Sequence, residues 1–140
     1  MDPRVRAAIE TAAGREPYAQ SMGIALRSLD DGYSRVEMVY DPVRQSNIYG
    51  RAHGGAVFGL IDEAFETAAQ TDGTVAVAMN VSVTYISSLE SGMRLYAEAR
   101  RVGQTKRTAT YDIRVSDAAG RLIAVCQALA YRTGKPIPFL

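Results

Sequence analysis

The chain has 140 residues, 47% hydrophobic and 22% charged, with a formal net charge of +1; this fits one compact soluble domain, and not a disordered tail or a multidomain assembly, and lacks the basic excess of a nucleic-acid binder. One His, one Cys and no Trp exclude an intrachain disulfide and a four-ligand Cys/His zinc site, so any chemistry must rest on carboxylates, hydroxyls and backbone groups. The first twenty residues hold no apolar signal-peptide core and no apolar run reaches the roughly 18 residues of a membrane span, so the expected compartment is the cytoplasm, with neither nucleic acid nor membrane as partner.

Asp2-Pro3 reads as an N-cap followed by a first-turn proline, and Val5, Ala8, Ile9 and Ala12 recur at helical spacing until Gly14. A further turn of helix is expected after Pro17, ending near Gly23, so that residues 1–22 form an N-terminal helical segment. Ile24 to Tyr40 reads as two strands around Asp30-Asp31-Gly32, a hairpin signal. Asp41 to His53 lacks periodicity and is expected to be loop. From Gly54 to Gln70 comes a long helix, apolar over most of its circumference and therefore buried. Four strands are expected after it: Val75 to Ile86, Met93 to Val102, Thr105 to Ser116 and Arg121 to Thr133, with short links that make successive strands antiparallel neighbours. Residues 134–140 read as an extended tail. The whole chain, 1–140, is expected to be a single α+β domain in which an antiparallel sheet covers the apolar helix.

The segment Asn47-Ile48-Tyr49-Gly50-Arg51-Ala52-His53-Gly54-Gly55, followed by the helix with Asp62, carries the candidate chemistry. Paired glycines at a helix start let a ligand approach N–H groups that have no intrahelical partner, at the positive end of the helix dipole; they also simply permit tight entry into a helix. Asp62 is a carboxylate amid apolar residues. It is either a functional group with a perturbed pKa or part of a narrow solvated stripe with Glu63 and Glu66. Gly54 and Asp62 lie about 12 Å apart along a helix axis, too far to act on one carbonyl within one chain. If both act, a twofold axis must lay two such helices antiparallel.

At these residues the sequence resembles the hotdog-fold acyl-CoA thioesterases of the phenylacetic-acid-degradation type. Their pattern is an Asn, seven residues to the first Gly of His-Gly-Gly, then eight to an Asp, reproduced by Asn47, Gly54 and Asp62; the likeness extends from Gly23 to Arg132. The resemblance implies a hotdog fold, an antiparallel sheet wrapped around a long central helix, and hydrolysis of an aromatic or medium-chain acyl-CoA to free acid and CoA. It implies no cofactor or metal, and a homodimer as the minimal active unit, commonly paired into a homotetramer. By that resemblance the Gly54 amide polarises the thioester carbonyl, Asp62 of the opposite subunit is general base or nucleophile, Asn47 orients water or carboxylate, and His53 braces the loop. Substrate and CoA contacts are expected at Gly55, Phe58 and Glu66 and at the Gln104-Thr105-Lys106-Arg107 turn. Two departures stand out: Tyr85-Ile86-Ser87-Ser88 replaces a Phe-x-Arg-Pro-like segment, and Ala76, with Thr74 nearby, stands where some relatives have a Ser. The rival reading is a non-catalytic acyl-CoA sensor; a hotdog dehydratase would need a His in another context.

Overall fold

In the computed structural model, which describes residues 1–140, one six-stranded antiparallel sheet curls around a single long helix. The elements in chain order are α1 (Pro3–Ala13), α2 (Pro17–Met22), β1 (Ala25–Asp30), β2 (Tyr33–Val39), α3 (Pro42–Gln45), α4 (Gly54–Ala69), β3 (Thr74–Tyr85), β4 (Arg94–Gln104), β5 (Thr108–Asp117) and β6 (Leu122–Pro136). The helix starts follow the chemistry read from the sequence. Asp2 Oδ1 accepts from the Arg4 amide at 2.7 Å with Pro3 in the first turn, and Pro17 opens α2, which ends at Gly23 in the left-handed region, φ +69°.

Sheet order is β1-β2-β4-β5-β6-β3. The inward faces of β4 and β5 are those given by alternation: Leu95, Ala97 and Ala99 on one, Ala109, Tyr111, Ile113 and Val115 on the other, all buried. So many alanines on the concave face, with Ala124, Ala128 and Ala130 of β6, let a helix of about 10 Å diameter nest close to the sheet. Leu60, Ile61, Ala64 and Ala68 of α4 fill the space against Val36 and Met38 of β2. Phe65 meets Tyr111 edge-on, with ring centroids 5.4 Å apart.

Four expectations need correction. The segment 41–53 is not all loop. Asp41 caps the short α3 through its carboxylate, and Ser46 bridges Ala52, because Pro42 supplies a ready first turn. β3 does not neighbour β4. It pairs with β6 from Thr74↔Pro136 to Tyr85↔Ala124, and the connection 86–93 crosses to the far side of the sheet, anchored by buried Leu89 and by the Ile86 and Ser87 amides donating to the Ile123 carbonyl. That leaves β3 as an edge strand with Val77 and Met79 exposed. β5 begins at Thr108 because Thr105 closes the turn, its amide donating to the Thr108 carbonyl at 2.7 Å. Residues 134–136 of the tail continue β6, and Ile137 is buried with Val5, Ile9 and Leu29 in a second small core beneath α1.

α2 lies tight on α4. A Cβ added at Gly59 would overlap the Tyr18 hydroxyl and sit 3.0 Å from its Cε1, so a side chain here must turn the end of that ring outward, which its 49% exposure allows. Gly59→Ala is expected to change stability by less than about 1 kcal/mol, the displaced ring end offsetting the helix propensity of Ala, and in a Tyr18→Ala background it should stabilise by about 1 kcal/mol. Urea unfolding of the two single variants and the double variant checks this.

Candidate active site

The helix start of α4 is organised by His53 and Asn47. His53 is the N-cap. Its amide donates to the Gln45 carbonyl at 2.7 Å, and its Nδ1 accepts from the Gly55 amide at 2.9 Å, which assigns the ring proton to Nε2. The Ala56 amide donates to the His53 carbonyl at 3.0 Å. Gly55 and Ala56 are thereby engaged, and the Gly54 amide, with no carbonyl one turn back to receive it, is the donor left at the positive end of the helix.

Asn47 Oδ1 accepts from the Tyr49 amide at 2.9 Å and the Arg51 amide at 3.1 Å, folding residues 47–51 into a tight loop. Its side-chain NH2 takes no part in that loop and stays available as a donor. Tyr85, at the end of β3, completes the arrangement from the sheet side: its hydroxyl donates to the Gly54 carbonyl at 3.0 Å, and a Cβ at Gly54 would lie 3.2 Å from the Tyr85 ring. A side chain at position 54 would therefore push against the group that steadies its backbone.

Asp62 sits two turns along α4, half-buried, in a recess of about 260 Å³ whose other walls include Phe65, Ala76, Ala78 and Ala130. Burial pushes its pKa above the ordinary carboxylate range, and the Glu16 carboxylate adds to the shift. Glu66 also lines the recess and is likewise raised, by burial first and then by Glu16 and Asp62. Of the two alternatives left open for these acids, the solvated stripe forms only in part: Glu66 is exposed and Asp62 half-buried, but Glu63 is 3% exposed. Glu16, brought in by the turn between α1 and α2, is the charge acting on Asp62 and does not stand out in the sequence; Tyr85 is marked there only as a departure from the family's pattern, with no role attached. Phe58 is half-buried and does not line the Asp62 recess; Phe65 does.

The turn from Gln104 to Arg107 is exposed and closed on itself. Thr105 Oγ1 accepts from the Arg107 amide at 3.2 Å and the Thr108 amide at 3.0 Å. Arg107 Nη1 donates to the Tyr131 hydroxyl at 2.7 Å, and Lys106 extends free of any ion pair. Arg132 ties this turn to the C-terminal end of α4, donating to the Thr105 carbonyl at 2.9 Å and pairing with Asp72. The turn thus stands at the opposite end of α4 from Gly54 of the same chain.

Residues 49–124, which contain the His-Gly-Gly start, all of α4 and Asp62, match the thioesterase superfamily. The chain belongs to that superfamily. It is a thioester hydrolase by family, and its six-stranded sheet around a helix is the hotdog fold. The chain is similar to the acyl-coenzyme A thioesterase PaaI of Escherichia coli K12, at 30% identity over 119 residues covering 85% of this chain and 84% of that protein. The structure of the E. coli PaaI protein from the phenylacetic acid degradation operon superposes with a TM-score of 0.90 over 96% of both chains at 27% identity. The structure of smu.793 from Streptococcus mutans UA159, bound to acetyl CoA, does so with a TM-score of 0.77 at 26% identity, over 81% of this chain and 91% of that one. The thioesterase has no helix long and apolar enough to cross a membrane.

Proposed function

We propose that this thioesterase hydrolyses acyl-CoA, with an aromatic or medium-length acyl group, at two equivalent sites shared between the chains of a homodimer. The observation that carries this reading is the pairing of an unengaged Gly54 amide at one end of α4 with a half-buried Asp62 of raised pKa two turns along it. The two belong to one reaction only if a second α4 runs antiparallel beside the first. The open edge of β3 offers the line along which a second copy would pair, since unpaired strand edges are templates for another strand. The same arrangement brings the Gln104–Arg107 turn of one chain toward Gly54 of the other, where its Lys106 and Arg107 would meet the phosphates of CoA. The acetyl CoA held by the S. mutans relative supports CoA as the leaving group.

In this scheme the thioester carbonyl accepts from Gly54 of one chain. Asp62 of the other takes a proton from a water that attacks the carbonyl carbon, or attacks that carbon itself to form an anhydride that water then opens; in either route the C–S bond breaks to release CoA as a thiolate, and the acyl group leaves as the free acid. Little more is needed, because a thiolate leaves readily and the barrier falls mainly through a placed oxygen nucleophile and a stabilised oxyanion. The His53 imidazole is committed to the Gly55 amide through Nδ1 and acts as a brace; Asn47 directs its NH2 toward the water or carboxylate. Two such dimers pairing as a homotetramer, in the cytoplasm, completes the reading.

The test is release of free thiol from a panel of aryl-acetyl, medium-chain and short-chain acyl-CoAs. Turnover is expected on the first two groups. Binding of acyl-CoA without turnover on any of them would overturn hydrolysis in favour of a sensor.

A further inference from the structure

The central helix carries a buried acid that catalysis does not use. Glu63 is 3% exposed, yet no cation lies within ion-pair distance of it; its carboxyl group meets the Glu16 side chain in a hydrogen bond, and its carbonyl accepts from the Thr67 hydroxyl at 2.7 Å. What faces it instead is more acid. One carboxylate oxygen from each of Glu16, Glu63 and Glu66 lies within 4.8 Å of the others, and none of the three belongs to an ion pair, although most of the other acidic groups of the chain are paired or cap a helix. Glu16 is the N-cap residue of α2 but makes no capping bond with its side chain, which is directed to α4 instead. Beside the cluster a recess of about 290 Å³ opens between α1, the α1–α2 turn and α4, lined by Glu16, Glu66, Thr67 and Gln70 and closed at one side by Phe139. Tyr18 of α2, half exposed, rests the hydroxyl end of its ring on Gly59 of α4.

Glu16 is half-buried and Glu66 exposed, so both can meet water, but Glu63 is buried between them, and a buried carboxyl facing other carboxylates favours its neutral form. We propose that Glu63, held protonated against Glu16 and Glu66, forms a latch that docks α2 and its entry turn onto the central helix, loosening as the pH rises. The charged and titratable groups around the cluster leave the proton as the resolving charge. α4 contributes Asp62 as a further acid, the α1–α2 turn contributes Arg15, which lines the recess without pairing, α2 contributes Tyr18, and the C-terminal segment contributes only the Phe139 ring. Burial, the Glu16 side chain and the charges of Glu16, Glu66 and Asp62 push the Glu63 carboxyl up to about 8 from an ordinary 4.5. A carboxyl raised in this way contributes stability that is complete below its undocked value and lost as pH climbs through its docked value. The latch therefore weakens from roughly pH 4.5 to 8, independently of any role for Asp62 in catalysis.

Amide exchange in the intact protein reads the latch. The Gln20 amide, bonded to the Glu16 carbonyl at 3.0 Å, and the Ile24 amide, bonded to the Ala19 carbonyl at 2.8 Å, belong to α2 and its exit, a helix of six residues that is too short to persist undocked. Undocking that releases one proton raises the opening equilibrium about tenfold per pH unit. Base-catalysed exchange itself rises about tenfold per unit, so wild-type rates at these two amides should climb about a hundredfold per pH unit between about pH 6 and 8. In Glu63→Gln, a neutral isostere, the climb should fall to about tenfold, and the Tm at about pH 8.5 should exceed that of wild type. Glu16→Gln, at a surface turn where folding is not at risk, should flatten the slope in the same way. Equal slopes in wild type and both variants would overturn the latch. Millimolar Ca2+ or Mn2+ that restores protection at the same alkaline pH in wild type but not in Glu63→Gln would also overturn it, since the cluster would then hold a cation and not a proton.

Discussion

Asp62→Asn is expected to lower kcat/KM for acyl-CoA by about 10²- to 10⁴-fold, the range lost when a positioned general base is removed, while the protein stays folded and is no less stable than wild type. The two halves of this expectation come from one feature. Burial and the Glu16 carboxylate hold the Asp62 pKa above its ordinary value, so its ionised form is disfavoured in the folded chain. A group shifted in that direction withdraws stability as pH rises through its folded pKa, and a neutral Asn escapes that loss at neutral pH. A carboxylate kept at some cost to the fold is the mark of a residue retained for chemistry. The same shift sets a pH dependence. Since Asp62 must be ionised to take a proton or to attack, kcat/KM in the wild type should fall on acidification at a higher pH than an unperturbed aspartate would give, and Glu16→Gln should move that limb downward. Thiol release followed across pH, with urea unfolding alongside, checks both. Turnover unchanged in Asp62→Asn would remove Asp62 from the mechanism, whatever the stability result.

Much of this arrangement is legible in the order of the amino acids, and the parts that are not share a physical cause. The alternation of Leu95, Ala97 and Ala99, and of Ala109, Tyr111, Ile113 and Val115, states which faces of two strands are buried, because period-two patterning is a direct consequence of the pleat. The helix from Gly54 is equally plain, being apolar over most of its circumference. Strand order is not. The link from β3 to β4 looks like a hairpin turn by composition, and only the competition among strands for partners sends β3 to β6 and leaves it at the edge. The state of the α4 acids stays open in the sequence for a related reason. Asp62, Glu63 and Glu66 fit a solvated stripe as well as a functional acid, because spacing within a helix says nothing about what packs on it. Glu63 is buried by the α1–α2 turn, distant in sequence and invisible to any local pattern. Gly59 is the one local hint of that contact, a glycine with no turn to make inside a helix, and the ring end of Tyr18 rests on it.

Mixing two inactive variants should restore activity if the sites are shared. Gly54→Val places a branched side chain where even a single carbon would press on the Tyr85 ring at 3.2 Å, displacing the helix start and its amide; Asp62→Asn removes the carboxylate. Each homodimer then has two defective sites. In a heterodimer of the two, both lesions fall in the same site, the valine of one chain facing the asparagine of the other. The second site is left with Gly54 and Asp62 intact. Chains unfolded together and refolded at equal amounts form heterodimers in about half of all dimers, each with one working site of two, so about a quarter of wild-type activity should return from a background two or more orders of magnitude lower. A site lying within one chain forbids this result, because every chain in the mixture carries a lesion. The spacing that motivates the experiment is that of the sequence itself, since eight residues of helix hold Gly54 and Asp62 about 12 Å apart and no motion short of unwinding α4 could bring both to one carbonyl. Mixed chains that dimerise, as judged by light scattering, yet stay as inactive as their parents would mean that Gly54 and Asp62 do not serve a common site.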